Sequence, residues 1–303
     1  MGEGPVRPIG SFSVLAIVGM LAFVGSASAS TLAVDRGGTL RFSAGWWEAN
    51  HVNATDVGTG GATVVTDPGS IIHVGNGCVQ VTPHEGSCPL PANFEQDLAI
   101  YLGDRNDFAH AFKLSLGHIA ISGGTGADTI EDLPELGADV SGGPGDDTIT
   151  VHPNFGGVVD VHGDSGRDEI AAISASGVVD GDSGDDQITL TTFVEPSPGA
   201  SAAYGGWGDD TISAEGATSM GLIDGGVGDD TVTTGALALV AEIRGGFGAD
   251  EITSLNGTSQ ISGGFGPDSI DGGGEGDTIN CGFGIDKYVQ YAGDTVSNCE
   301  IAA

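Results

Sequence analysis

The sequence has few basic residues: eight Lys or Arg among 303 residues, against 42 Asp or Glu, which gives a formal net charge of −34 at pH 7. Nucleic acids and anionic lipid surfaces are bound through clusters of Lys and Arg, so this shortage argues against both as partners. The imbalance is strongest in residues 120–303, where 32 acidic residues face only Arg167, Arg244 and Lys287. Such a charge density repels itself in a compact fold unless cations neutralise it.

Familiar catalytic motifs and helical periodicity are missing as well. The chain contains no His-Glu-x-x-His of a zinc protease and no Gly-x-Ser-x-Gly of a hydrolase. The seven histidines are scattered, and we expect them at surface or turn positions rather than in one site: His51, His73, His84, His110, His118, His152 and His162. These absences predict an all-β protein that is not an enzyme.

Long apolar runs are missing except near the N-terminus. Phe12–Val24 is apolar but too short to span a bilayer. Arg7 precedes this run, and Ala27-Ser28-Ala29 follows it with the small-x-small pattern of a cleavage site. The pattern predicts a signal peptide over residues 1–29, cleavage after Ala29 and a secreted, extracellular protein without a membrane span in its mature form. An uncleaved anchor is the alternative.

Cysteine is also scarce, with four residues at positions 78, 88, 281 and 299. An even number of cysteines in an exported chain predicts disulfides. Three pairings are possible. We expect the local one, Cys78–Cys88 and Cys281–Cys299, because it closes two short loops.

Glycine is abundant, at 55 residues, and much of it lies in a nine-residue phrase, Gly-Gly-x-Gly-x-Asp-x-(Ile/Val)-x. Six copies match the glycines and the aspartate fully, and they begin at Gly123, Gly142, Gly205, Gly225, Gly245 and Gly263. Two others carry Asp164 and Asp182 at the second position, where Asp tolerates a left-handed backbone better than most residues. Fixed-period repeats of this kind predict a solenoid, because each unit can bury its apolar residue only against its neighbours.

The aspartates at the sixth motif position give the geometry of the repeat. They are Asp107 in a decayed copy, then Asp128, Asp147, Asp168, Asp186, Asp210, Asp230, Asp250, Asp268, Asp277 and Asp286. The intervals are 18 to 24 residues up to Asp268 and nine residues thereafter. We interpret the longer interval as one full turn with two short strands, which predicts a single column of aspartates on one edge. The nine-residue step should place Asp277 on the opposite edge, where Glu275 replaces a glycine and makes a site doubtful.

The residue types of the phrase suit a hard cation. Tight loops leave several backbone carbonyls on one side, and the sixth residue adds a carboxylate. Ca²⁺ takes six to eight oxygen ligands, so each ion needs two stacked loops, whereas Mg²⁺ demands a tighter octahedral geometry. The motif offers no His or Cys for Zn²⁺ or copper. The eighth residues should point inward as an aliphatic ladder: Ile130, Ile149, Ile170, Ile188, Ile212, Val232, Ile252 and Ile270.

These copies resemble the RTX, or haemolysin-type, calcium-binding repeats of secreted bacterial proteins. The resemblance covers about residues 103–299. It implies that residues 103–303 form a right-handed parallel β-roll that binds several Ca²⁺ ions through the sixth-position aspartates from Asp128 to Asp286. The closing phrase from Asn280 to Glu300 looks like the disulfide-closed end of Sec-exported members. The family's toxins use an uncleaved C-terminal signal instead, so the N-terminal signal argues against a toxin.

Residues 30–102 lack the repeat and read as a small β cap, with short β-branched runs at 31–34, 39–43, 62–66, 71–74 and 98–102. Trp46 and Trp47 lie beside Phe42 and should form a small core or a plug over the solenoid end; an aromatic ligand platform is the alternative.

The function that we expect is a structural, matrix or surface role for a monomeric, calcium-binding secreted protein. A calcium-dependent adhesive or ligand-binding module for a glycan or an ice surface is the alternative. Outward threonine pairs such as Thr148/Thr150 and Thr231/Thr233 would serve the ice surface.

Overall fold

The chain is all β-strand, as the sequence predicts. A computed structural model describes residues 29–57, 61–89, 97–112, 118–131, 137–152, 157–173, 176–191, 201–216, 220–236, 242–256, 258–274 and 276–302. All of the regular secondary-structure elements in these ranges are β-strands. None of the described segments is a helix that is long and apolar enough to cross a membrane. Residues 1–28 of the expected signal peptide, and Glu275, lie outside the described ranges.

The N-terminal part contains seven strands that close one end of the solenoid. They are β1 (Ser30–Val34), β2 (Leu40–Ser43), β3 (His51–Val57), β4 (Ala62–Thr66), β5 (Ile72–Val74), β6 (Val79–Thr82) and β7 (Glu85–Pro89). The pairs β1–β2, β3–β4, β4–β7 and β6–β7 are antiparallel. The sequence runs predicted four of these strands and missed β3, β6 and β7, whose mixed polar and apolar sequences form strands through pairing with neighbours.

The remaining strands alternate between two sheets along the chain. They are β8 (Leu98–Asp104), β9 (Phe108–Phe112), β10 (Ile119–Thr125), β11 (Thr129–Glu131), β12 (Gly137–Pro144), β13 (Thr148–Val151), β14 (Val158–Ser165), β15 (Glu169–Ile173), β16 (Ser176–Asp180), β17 (Gln187–Thr191), β18 (Ala202–Trp207), β19 (Thr211–Gly216), β20 (Leu222–Val227), β21 (Thr231–Ala236), β22 (Glu242–Phe247), β23 (Glu251–Asn256), β24 (Gln260–Phe265), β25 (Ser269–Asp271), β26 (Thr278–Phe283), β27 (Lys287–Val289), β28 (Thr295–Ser297) and β29 (Ile301–Ala302).

Each turn contributes one strand to each sheet, and all of these strands stack in parallel. From β8 onward the even-numbered strands form sheet A, which β2, β1 and β5 extend, and the odd-numbered strands form sheet B, which β3, β4, β7 and β6 extend. The register keeps equivalent motif positions side by side: Ile223 pairs with Ile243 in sheet A, and Val232 with Ile252 in sheet B. The predicted β-solenoid with one turn per long interval is confirmed.

The core is a thin double ladder of aliphatic side chains between the sheets. The eighth motif residues are 0–1% exposed and line sheet B, as the sequence predicts. A second ladder, which sequence analysis did not single out, lines sheet A two residues before each motif: Ile121, Val140, Val161, Val179, Ala203, Ile223, Ile243, Ile261 and Ile279, all at most 3% exposed. Side chains alternate in direction along a strand, so the sheet A ladder is in phase with the first glycine, and the sheet B ladder is in phase with the sixth-position aspartate on the other side of the loop.

Both local disulfides are present. Cys78 is bonded to Cys88 in the cap, and Cys281 is bonded to Cys299 at the C-terminal end. The expectation for the cap tryptophans is wrong, since Phe42 is fully buried but Trp46 and Trp47 are 72% and 60% exposed. Trp47 adopts a positive φ of 69° in the turn after β2, and this turn directs both indoles away from the core.

Candidate metal centre

Ten of the sixth-position residues form one column at the edge where the chain passes from sheet A to sheet B. The members of this aspartate column are Asp107, Asp128, Asp147, Asp168, Asp186, Asp210, Asp230, Asp250, Asp268 and Asp286, each at most 4% exposed. Within the column, each Oδ1 from Asp128 onward accepts a hydrogen bond from the backbone N–H of the aspartate one turn earlier, at 2.7–3.1 Å. The predicted single column is therefore present.

Asp277 lies on the opposite edge, as its nine-residue spacing predicts. It precedes the sheet A strand β26, whereas the column members precede sheet B strands. Its Oδ1 accepts a hydrogen bond from the Ser259 N–H at 2.7 Å, and its own N–H donates to Asp294 Oδ1 at 3.0 Å. On the far edge, a carboxylate oxygen of one turn thus also accepts a backbone N–H of the turn before it, over the stretch from Ser259 to Asp294.

The second carboxylate oxygen of each column member is buried without a partner. Oδ2 of all ten, and of Asp277, has no hydrogen-bond partner among the described residues. Buried polar atoms are rarely left without a partner, because each costs about 1–3 kcal/mol and more when it is charged. A repeated set of such atoms therefore marks the column as a place where protons or bound cations are needed.

The first glycine of each motif leaves room for these oxygens. A β-carbon on Gly225 would lie 2.6 Å from Asp230 Oδ2 and 2.6 Å from the Gly245 carbonyl oxygen of the next turn. The same pair of oxygens surrounds Gly123, where Asp128 Oδ2 and the Gly142 carbonyl lie at 2.4 and 2.5 Å from that position. A side chain here would fill the space where a carboxylate and a carbonyl from successive turns converge.

The second and fourth glycines let successive loops stack backbone on backbone. Gly246 and Gly248 have φ of 120° and 139°, and a β-carbon on either would lie about 2 Å from the carbonyl oxygen of the equivalent glycine one turn earlier. Asp164 and Asp182 occupy the second position with φ of 72° and 67°. The prediction that these two aspartates adopt the left-handed backbone is confirmed.

A second row of carboxylates lies on the solvent side of the column. Asp146, Asp185, Asp209 and Asp229 hold the fifth motif position, and the Oδ1 of each accepts a hydrogen bond from the fifth-position N–H of the following turn at 2.7–3.0 Å. The carboxylates of this outer carboxylate row thus accept from the following turn, whereas those of the column accept from the preceding turn. Sequence analysis did not assign a separate role to the outer carboxylate row, although the recurring Asp-Asp pairs at the fifth and sixth motif positions indicate it.

Burial makes the column costly to ionise. Desolvation by burial is the largest cause that raises the pKa of Asp210, to about 8. The hydrogen bond from the Asp186 N–H lowers this pKa, and repulsion from neighbouring carboxylates raises it further. Similar balances, with burial the largest cause in each, raise the pKa of Asp107, Asp168 and Asp268 to about 7, and that of Asp147, Asp186, Asp230 and Asp250 to about 6. Burial also raises the pKa of Asp128 and Asp277. A column of this kind needs either protons or cations.

No protein-family model, curated protein or solved structure matches the chain. The family resemblance therefore rests on the repeat residues alone. The function has to be argued from the geometry of the column.

The donor set fits a hard cation. All of the converging atoms are oxygens, from a carboxylate of one turn and a carbonyl of the next, and Ca²⁺ prefers this mixture. The copy that begins with Gly263 keeps this arrangement although the next turn begins with Cys281, since the Cys281 carbonyl and Asp268 Oδ2 would lie 2.3 and 2.4 Å from a β-carbon on Gly263. The ends of the column are closed by Asn50, whose N–H donates to Asp107 Oδ1, and by Glu300, which accepts from the Asp286 N–H.

Proposed function

We propose that this chain is a calcium-binding protein in which ions between successive turns hold the solenoid together. The observation that carries the proposal is the column of buried carboxylates, each with one unpartnered oxygen. From Asp128 to Asp268, that oxygen and a carbonyl of the next turn converge at the first glycine of the motif. The resemblance to RTX repeats and the acidity of residues 120–303 support it. Binding to the folded state alone would stabilise that state by mass action.

The oxygens that would hold each ion come from two turns. Asp230 Oδ2 and the Gly245 carbonyl are such a pair, and equivalent pairs occur along the column. A bound Ca²⁺ would supply positive charge that compensates the buried carboxylates. The protein's own part is to fix these oxygens: the Asp210 N–H holds Asp230 Oδ1 at 2.9 Å and thereby orients Oδ2.

Replacing Asp230 by Asn should weaken calcium binding at the two neighbouring turns together, because the residue lies mid-column and loses a charged oxygen. Asp224→Asn is the matched control, since Asp224 lies on the outer face of sheet A, 3.6 Å from Arg244. Calorimetric titration should show about two fewer tight sites for the first variant and an unchanged isotherm for the second. Equal isotherms for the two variants would show that the column does not bind calcium.

We further propose that the mature chain is exported after loss of residues 1–29, acts as a monomer and has a structural role outside the cell. The two disulfides fit an oxidising compartment. The absence of known catalytic motifs from the sequence supports a role without enzymatic activity.

An exposed ridge of apolar side chains favours a second candidate function, calcium-dependent ligand binding. The third motif positions of five successive turns form this apolar ridge: Trp207, Val227, Phe247, Phe265 and Phe283, which are 42–71% exposed. The ring of Phe265 stacks between those of Phe247 and Phe283, with centroid distances of 4.9 and 5.0 Å. Exposed apolar rows of this length mark interaction sites.

The groove beside the ridge indicates the chemistry of a partner. It has a volume of about 400 Å³ and is bordered by Asp224, Arg244 and Ser262. Arg244 is already paired with Glu242 and Asp224, so little positive charge is left for an anion. A neutral polyhydroxylated chain, such as a polysaccharide, fits an apolar ridge with polar groups along one side. The threonine rows are less suitable, because Glu169 and Glu251 interrupt them in the stacked register.

Phe265→Ser should lower the binding of calcium-loaded protein to an insoluble neutral polysaccharide such as chitin or cellulose by roughly tenfold, the effect of about 1.4 kcal/mol. Val158→Ser is the control, since Val158 is also exposed on sheet A but lies away from the ridge. Co-sedimentation measures both variants. If the wild type does not bind, or if the two variants bind alike, the ridge is not a glycan site.

A further inference from the structure

A cluster of three potential metal ligands lies on the outer face of sheet A, apart from the aspartate column. His162 on β14 and Asp180 on β16 are direct neighbours in adjacent parallel strands. Asp182 follows β16, and its Oδ2 lies 2.8 Å from His162 Nδ1. One ring nitrogen of His162 and one carboxylate oxygen of each aspartate all lie within 4.8 Å of one another.

This cluster arises where two neighbouring repeats depart from the motif. The outward residue before the first glycine is His162 in one turn and Asp180 in the next, whereas it is Ser122, Ser141 or Ser262 in others. Asp182 replaces the second glycine. Among the residues that the structure describes, the cluster therefore occurs at one place, unlike the repeated carboxylate and carbonyl oxygens of the column.

The donor atoms differ in kind from those of the column. Calcium sites use oxygen ligands, whereas an imidazole nitrogen combined with carboxylates suits first-row transition ions such as Zn²⁺. Two ligands on a tetrahedral ion with bonds of about 2.1 Å are about 3.4 Å apart. His162 Nδ1 and Asp182 Oδ2 are 2.8 Å apart, so they would have to separate by roughly 0.6 Å to share such an ion.

The surroundings of the cluster are negative and open to solvent. Asp160 Oδ1 lies 3.4 Å from His162 Nε2, and Asp164 contributes another carboxylate nearby through its contact with Ser141. Within the described part of the chain, no Lys or Arg forms an ion pair with these carboxylates. A groove of about 230 Å³, bordered by Tyr101, Asp139, Ser141, Asp160 and His162, gives an ion a path of entry.

We propose that His162, Asp180 and Asp182 form a binding site for one divalent transition ion such as Zn²⁺, separate from the calcium-type column. The three side chains supply one nitrogen and two oxygens, so further coordination positions stay open to water or to an anionic group of a ligand. The site would give this face of the solenoid a chemistry that the repeat itself lacks.

The test is a calorimetric titration of Zn²⁺ into the full chain at neutral pH with calcium in large excess. The wild type should bind one zinc ion that calcium does not displace. His162→Gln should weaken this binding at least tenfold. Asp182→Gly should have a similar effect, and because it restores the glycine of the repeat, loss of zinc binding cannot be attributed to a misfolded loop.

His118→Gln is the matched control. His118, immediately before β10, is also about half-exposed, and among the described residues its ring pairs with one carboxylate, Asp139, at 3.2 Å. Its zinc isotherm should equal that of the wild type, and all variants should show the same calcium-loaded circular dichroism spectrum. The proposal is overturned if the wild type binds no zinc, which would leave His162 as an ion-pair partner only. It is equally overturned if His162→Gln binds zinc as the wild type does, or if calcium competes the zinc away.

Discussion

In calcium-free buffer at about pH 8, the chain should lose most of its strand circular dichroism signal, and millimolar Ca²⁺ should restore it. The physical reason is the aspartate column, whose members are at most 4% exposed and keep an unpartnered Oδ2. Folding without cations at this pH forces these carboxylates either to stay charged while buried or to bind protons that are scarce. Both alternatives destabilise the folded state.

The size of the effect follows from the pKa values. Burial raises the pKa of Asp230 and Asp250 to about 6, a change of about two units that corresponds to about 3 kcal/mol for each carboxyl. Several such groups together exceed the net stability of about 5–15 kcal/mol that is typical of a folded domain. An EGTA spectrum identical to the calcium-loaded one would show that the column does not depend on cations.

Without calcium, the chain should become more stable as the pH falls from about 8 to about 5, which is the reverse of ordinary acid denaturation. A carboxyl whose folded pKa is raised above its unfolded value binds more protons when folded. Its contribution to stability is therefore fully present below the unfolded pKa and is lost as the pH rises through the folded pKa. For Asp168 and Asp210, with pKa values of about 7 and 8, that loss extends into the neutral range.

Thermal melts in EGTA across this pH range measure the effect. The loss of about 3 kcal/mol from one carboxyl lowers Tm by roughly 5 °C in a chain of this size. In excess calcium the trend should reverse, because metal ligands must be deprotonated and protons then compete with the ion. A calcium-free Tm that rises with pH would mean that the column carboxylates are already compensated within the protein.

The single column and the far-edge position of Asp277 could be predicted from the sequence because the motif intervals fix them. A step of 18 to 24 residues returns the chain to the same edge, and a step of nine residues does not. The disulfides could be predicted for a similar reason, since Cys78–Cys88 and Cys281–Cys299 are local pairs. Regular spacing carries this information without any knowledge of side-chain contacts.

The hydrogen bonds of the column could not be predicted in the same way. A sequence pattern marks Asp230 as a ligand but does not show that the Asp210 N–H takes one of its oxygens and leaves the other free. The outer carboxylate row, in which Asp209 contacts the Asp229 N–H, depends equally on the offset between stacked loops. These contacts depend on how far one turn is shifted relative to the next.

The exposed aromatic residues show a second limit of sequence patterns. Phe247, Phe265 and Phe283 occupy a variable motif position, and their stacking becomes visible only when the turns are superimposed. Trp46 and Trp47 were expected in a small core or in a plug over the solenoid end, because an uncovered end would expose a sticky sheet edge. The turn after β2 directs them outward instead, and a turn of this kind depends on its contacts, such as the Trp47 N–H with Asp104 Oδ1 at 2.7 Å.

The most direct test of the proposal that the aspartate column binds calcium is a crystal structure of the calcium-loaded protein, with anomalous scattering data collected at a wavelength where calcium contributes. A line of anomalous peaks should run along the column from Asp128 to Asp286, one beside each Oδ2, separated by about the strand spacing of 4.8 Å. A crystal without peaks along this line, or with peaks only at the outer carboxylate row of Asp146, Asp185, Asp209 and Asp229, would contradict the assignment of the buried carboxylates as the calcium ligands.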